Sequence, residues 1–271
     1  VRAAEAIALG IVLCALPGAA LPGDIYVVGS LTRDVTLQPG GKAEGRIILK
    51  NTGNEPREVR IYQTDYMCHA GGDSEYGEPG SVARSNASWI TFAPRQLVIA
   101  PGETDSVYYT VRVPSDEALS GTYWSIIMAE PLPARTAAAS PADGDNANIG
   151  IKTVVRYGIQ VVSNIGGTGT MEMRFADRRL VASDGGVRAL RLDIENTGQK
   201  WLNPLVWADL YDSGGACVGR FTARRLRIYP GCSGRFDIDI SHVPEGAYHA
   251  LIVADNGDES VFGAECTLQI E

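Results

Sequence analysis

Asp212-Ser213-Gly214-Gly215, inside "LYDSGGACVG", is the segment of this 271-residue sequence whose residue types come nearest to a catalytic nucleophile. A serine nucleophile requires a histidine base within hydrogen-bond reach and donors for the oxyanion. The histidines are His69, His242 and His249, and none lies in a motif that would present a base to Ser213. Read as the turn between "VWADLY" and "ACVGRF", the same four residues close a β-hairpin. Metal chemistry fares no better: the histidines are scattered and no C-x-x-C spacing exists. The acidic stretches "DGDNAN" and "DNGDES" lack the alternating ligands and closing glutamate of a calcium loop and read as solvated turns. No glycine loop of phosphate-binding form appears. Asn86-Ala87-Ser88 is formally a glycosylation sequon. These residues point away from an enzyme, and no catalytic residue, metal or cofactor is expected.

The totals narrow the partners. A chain with 45% hydrophobic and 21% charged residues has enough apolar side chains to fold into two cores. Its net charge of −8, without a basic block, removes the attraction to phosphates on which nucleic-acid binding depends. No small-molecule substrate is indicated either. Residues 1–20, "VRAAEAIALGIVLCALPGAA", combine an early Arg2, an apolar run from Ala6 to Leu16 and small residues near Gly18 and Ala20. That pattern is expected of a secretory signal peptide, the apolar run being shorter than the ~20 residues of a membrane span. Leu13 before Cys14 argues against lipidation. Beyond that segment lie Cys68, Cys217, Cys232 and Cys266; export permits disulfides, and one bridge among the last three is expected, with the pair left open.

The elements that must position any site are strands. "EGRIILKN", "DSVYYTVRV", "TYWSIIMAE", "RALRLDIEN", "GRFDIDIS" and "YHALIVAD" alternate apolar and polar residues between Gly, Pro, Asn and Asp clusters. Helical periodicity is absent after the first segment. The fold class expected is all-β, as two immunoglobulin-like sandwiches in tandem. A repeat supports this: "LVIAPGETDSVYYTVRVP" then "GTYWSIIMAE" is echoed by "LRIYPGCSGRFDIDISHVP" then "GAYHALIVAD". Upstream, "LKNTGNEP" from Leu49 is echoed by "IENTGQKW" from Ile194. The domains are placed at 25–164 and 170–271, joined by the Gly-rich connector from Asn164 to Thr170.

One strand asks for more than a core. "IGIKTVVRYGIQVV" starts at Ile149 directly behind "PLPARTAAASPADGDNAN". Its odd positions read Ile149, Ile151, Thr153, Val155, Tyr157, Ile159 and Val161; Lys152, Arg156 and Gln160 lie on the other face. Such a row is buried if the strand sits wholly inside its sandwich. At a sheet edge it is offered to a foreign strand, main-chain bonds supplying affinity and alternate side chains filling pockets.

Here the chain resembles a known family. From Ile25 to Val162 it is similar to the N-terminal domain of the PapD-like periplasmic pilus-assembly chaperones. Thr32-Arg33 in the first strand, the strand closing at Asn51 and Pro56, "LVIAPGETDSVYYTVRVP", "GTYWSIIMAEPLP" and "VVRYGIQVV" carry the resemblance in order. It implies a non-enzymatic, periplasmic or envelope protein that binds an exported, pilin-like or other secreted subunit by strand addition, with an outer-membrane usher as a further partner. It implies that Arg33 is one of two cleft cations holding the subunit's carboxylate, and that Ile149, Ile151, Thr153 and Val155 are the donated row. The second cation would fall at Gln160, which is uncharged; Lys152 and Arg156 are the candidate substitutes. The second domain reads as a generic bacterial immunoglobulin-like module, and the alternative function is a structural or adhesive envelope protein.

Overall fold

The computed structural model describes residues 24–132, 155–182, 186–257 and 261–270. The signal segment at 1–20 and positions Ile149, Ile151, Lys152 and Thr153 lie outside the described residues. The first half runs through β1 (Ile25–Val28), β2 (Thr32–Leu37), β3 (Lys42–Asn51), β4 (Arg57–Cys68) and β5 (Ser74–Gly77). It continues through β6 (Ile90–Ala93), β7 (Gln96–Ile99), β8 (Thr104–Arg112), β9 (Gly121–Pro131) and β10 (Tyr157–Ile165). The second half contains β11 (Met173–Ala182), β12 (Arg188–Asn196), β13 (Leu205–Asp212), β14 (Cys217–Thr222), β15 (Ser233–Asp239), β16 (Gly246–Asp255) and β17 (Val261–Ile270). Apart from a single 3-10 turn at Ala87–Trp89, the regular structure described is all strand, as the period-two patterning predicts.

The strands form two sandwiches. In the first, a sheet ordered β1-β3-β8-β6 faces one ordered β2-β10-β9-β4-β5, to which β7 adds along β4. In the second, β11-β12-β15 faces β14-β13-β16-β17. Each encloses its own core, one around Ile47, Val107, Ile127, Ile159 and Val161, the other around Leu190, Leu192, Val206, Phe236 and Ile252.

The repeat seen in the sequence has a physical basis in one buried asparagine per sandwich. Asn51 closes β3, and its side-chain amide donates to the carbonyls of Glu55 (2.7 Å) and Ile99 (2.9 Å) while its Oδ1 accepts from the Gly53 amide (2.9 Å). Asn196 closes β12 and donates to Lys200 (2.8 Å) and Ile228 (2.9 Å) while accepting from Gly198 (2.9 Å). Both backbones also tie into the following Pro-Gly turn, through Gly102 and Glu103 in one copy and Gly231 and Cys232 in the other. Each asparagine thus satisfies a turn that would otherwise bury unpaired carbonyls.

The Gly-rich connector is closely packed at Gly169. Gly169 (φ 86) lies against Gly121 (φ 74), where a Cβ would come within 2.7 Å of the Gly121 Cα. The Gly121 amide donates to Thr168 Oγ1 at 3.0 Å, and the Thr122 amide to the Gln199 carbonyl at 2.8 Å. The two sandwiches are therefore docked at this point through backbone atoms that larger residues would hold apart.

Candidate functional site: an open flank beside the interdomain cleft

β10 is hydrogen-bonded along its whole length on one side only. Antiparallel to β9, it pairs continuously from Tyr157 opposite Ala129 to Ile165 opposite Gly121. On the other side it pairs with β2, in parallel, only from Gln160 opposite Thr32 to Ile165 opposite Leu37. The reason lies in the chain preceding β2. β1 belongs to the opposite sheet, paired with β3, so the chain must change sheets between Val28 and Thr32. It does so at Gly29, whose φ of 90 suits glycine, and the turn is held by a bond from the Thr32 amide to Ser30 Oγ at 3.0 Å. The Leu31 carbonyl makes the last contact, accepting from the Gln160 amide at 2.8 Å. Among the described residues, no strand pairs with Tyr157, Gly158 or Ile159 on that flank.

The faces of β10 follow from its alternation. Ile159 and Val161 are fully buried in the first core and Tyr157 packs against it. Val155 is half-buried and belongs to neither core, and Arg156 is exposed. The odd row thus passes from sealed core at Val161 to partly open at Val155, in the direction of Thr153, Ile151 and Ile149. Arg156, on the other face, borders a surface cleft with Tyr62, Thr64, Tyr76, Met128 and Gly158. It lies four positions before Gln160 on the same strand face, about 13 Å away along an extended strand.

The even face of β10 looks onto the second sandwich, and a dense junction forms there. Trp124, opposite Val162 in the ladder, stacks on Tyr229 with ring centroids 4.8 Å apart and donates its indole N–H to the Tyr66 carbonyl at 2.9 Å. Trp124 and Val162 are both continuous with the second core rather than the first. Gln160 accepts a hydrogen bond from the Tyr229 hydroxyl at 2.7 Å and another from Thr32 Oγ1 at 3.2 Å. Burial pushes the Tyr229 phenol up to about 12, so it remains a donor to Gln160 throughout the neutral range.

Arg33 lies near the head of β2, one residue after its first paired position. In register with Val161, it lies on the face of β2 turned toward the first core, while Thr32 and Asp34 share the cleft face with Gln160 and Val162. Its guanidinium lies near Gly29 and has no ion-pair partner among the described residues. The cleft cation is Arg227, from the second sandwich. It makes a forked contact with Asp34, with N···O distances of 2.9, 3.1 and 3.1 Å, and covers the Trp201 ring at 3.9 Å. That contact holds the Arg227 guanidinium against Asp34 and the indole face. Sequence reasoning missed Arg227 because it sits in the domain without recognised motifs; its one signal was the alternation of Arg227 and Tyr229 ahead of the Pro-Gly turn.

The remaining sequence candidates resolve simply. Ser213 is exposed in the β13–β14 hairpin, and the Asp212 carboxylate accepts from the amides of Gly214 and Ala216, both at 2.9 Å. Asn86 is fully buried, its amide donating to the Val161 carbonyl and Ser163 Oγ at 3.0 Å each, which removes it as a glycan acceptor in the folded chain. Among the described residues no His/Cys/Asp/Glu group could hold a metal ion, and no helix is long and apolar enough to cross a membrane.

No protein-family model matches this chain, and no curated protein matches it. Among solved structures it is similar to a chain of the chaperone–tip adhesin complex of CFA/I fimbriae biogenesis, with 13% identity over 91% of this chain and 99% of that one and a TM-score of 0.46. The class 5 fimbriae chaperone CfaA aligns at 11% identity over 89% and 98% of the two chains, with a TM-score of 0.45. The E. coli chaperone DraB aligns at 12% identity over 89% and 98%, with a TM-score of 0.42. Each alignment extends over both sandwiches.

Proposed function

We propose that this chain is an exported, non-enzymatic chaperone-like protein that binds a secreted or pilus-type subunit by β-strand addition. The guest strand lies along Ile149 to Val155 and the open flank of Tyr157 to Ile159. A single observation carries this reading: β10 is paired on both sides from Gln160 onward and on one side before it. Several other sheet edges are poorer templates, although β17, ten residues long and edging the second sandwich, is not among them. β1, β5 and β6 are four residues long, β11 carries Arg174, Asp177, Arg178 and Arg179, and β15 carries Arg235, Asp237 and Asp239. Short or charged edges discourage foreign pairing, whereas the flank of β10 is led by an apolar row. A guest strand there continues the line of β2, so its end meets the head of β2, where Arg33, with no ion-pair partner among the described residues, is available to its carboxylate. The apolar segment from Ala6 to Leu16 directs export to the periplasm or envelope, where an outer-membrane usher is the second partner.

The test is capture of envelope proteins by the tagged chain, identified by mass spectrometry, with wild type against the double variant Ile151→Asp, Val155→Asp. Two apolar side chains withdrawn from a guest groove cost about 3 kcal/mol or more, so retention of the guest should fall roughly 100-fold or more. The variant's hydrogen-exchange protection in β9 and β10 should stay unchanged. Loss of that protection would place the two side chains in the chain's own core, and equal retention by both proteins would leave a structural envelope module.

A further inference from the structure

We propose that Cys68 and Cys232 form a disulfide that staples the first sandwich to the second. Cys68 is the last residue of β4, and Cys232 follows the Pro230-Gly231 turn that leads into β15. The Cys68 amide donates to Cys232 Sγ at 3.4 Å, and two residues on the Ala70 amide donates to Ser233 Oγ at 2.9 Å. Cys232 Sγ is also 3.9 Å from Met67 Sδ. With an N–Cα bond of about 1.46 Å, the Cys68 Cα is at most about 4.9 Å from the Cys232 sulfur. Such a separation is compatible with the Cα spacing of a disulfide. The two segments are thus already held side by side, and the Ala70–Ser233 bond does so without either sulfur.

The other thiols do not compete. Cys217 is on β14 and Cys266 on β17, at opposite edges of a sheet with β13 and β16 between them, which separates them by about 14 Å. The bridge expected among the last three cysteines is therefore replaced by one that joins the first half of the chain to the second.

The pair is also chemically asymmetric. Cys232 is fully buried, whereas Cys68 is half-exposed. A hydrogen bond from the Cys232 thiol lowers Cys68 to about 7, with Tyr66 and His69 acting in the same direction against burial. Cys232 is raised by the same bond and by burial, so it retains its proton. The Cys68 thiolate therefore attacks first. It displaces one thiolate from a small-molecule disulfide such as oxidised glutathione and is left as a mixed disulfide. The Cys232 thiol then gives up its proton, its sulfur attacks Cys68 Sγ, and the second glutathione departs as a thiol. Two protein thiols are oxidised and one external disulfide is reduced to two thiols.

The experiment treats the reduced full chain with oxidised glutathione and maps the peptides without reduction. The expected product is a linked peptide pair containing Cys68 and Cys232, with Cys217 and Cys266 still open to alkylation. Cys232→Ser should leave a stable glutathione adduct on Cys68, and Cys68→Ser should leave Cys232 unmodified in the folded protein. The rate should rise with pH through a midpoint near about 7 and level off beyond it, as the Cys68 thiolate fraction grows. Oxidation should raise the melting midpoint by about 5 °C or more. A lasting adduct on wild-type Cys68, a bridge to Cys217 or Cys266, or both thiols still free after treatment would overturn the proposal.

Discussion

Replacing Asn51 by alanine is expected to destabilise the first sandwich by about 2–4 kcal/mol, and Asn196→Ala to do as much in the second. Both side chains are fully buried, and each makes three hydrogen bonds across two turns. Alanine removes the two donated bonds and leaves a buried turn amide, Gly53 or Gly198, without its acceptor, while the Ile228 carbonyl keeps its bond from the Leu202 amide. Net loss of one such bond is about 1 kcal/mol, and the unsatisfied buried group adds a desolvation cost. Asn51→Asp keeps an acceptor for Gly53 but cannot donate, and it buries a charge against two carbonyls, so it should be at least as damaging. Hydrogen exchange in β3 and β8 reads the effect within the first sandwich. A loss below about 0.5 kcal/mol would mean that water takes over the amide's bonds.

Trp124→Ala is expected to cost about 3–5 kcal/mol, the usual range for emptying a large aromatic site. It should loosen both sandwiches together. Trp124 is 1% exposed, projects from β9 of the first sandwich, and packs within the second core while bonded to the Tyr66 carbonyl. Removing it deprives Tyr229 of its stacking partner and so weakens the support of the Tyr229–Gln160 hydrogen bond. Trp124→Phe retains part of the stack and loses the indole N–H, so it should cost about 1–2 kcal/mol. Exchange protection should fall in β10 and β15 alike for the alanine variant. Loosening confined to β9 and its neighbours would show that the stack does not couple the two halves.

Much of the fold was legible before any coordinates. "RALRLDIEN" and "YHALIVAD" alternate in burial as β12 and β16, because a half-buried strand must place every second side chain in the core. The repeated Asn-Thr-Gly and Pro-Gly signals were legible for a related reason: a turn that buries its carbonyls needs a short amide side chain, and few residues supply one. The site was only partly legible. The apolar row ahead of β10 is a one-dimensional feature and stands in the sequence, but whether its flank is covered depends on where β1 leaves the sheet. Register shows the same limit: one position along β2 separates the face of Arg33 from that of Asp34, and residue type alone does not reveal it.

By itself, then, the sequence determined what nearest neighbours and turns determine: an all-β chain, two related sandwiches and an apolar strand that follows a polar stretch. Only the tertiary structure decided that Gly169 of the connector packs against Gly121, that Arg227 pairs with Asp34 beside the Tyr229–Gln160 hydrogen bond, and that Cys68 lies beside Cys232. The physical reason is distance along the chain. Hydrogen-bond partners 193 residues apart, such as Arg227 and Asp34, meet because both cores have formed and docked, and no local pattern in either segment encodes that meeting.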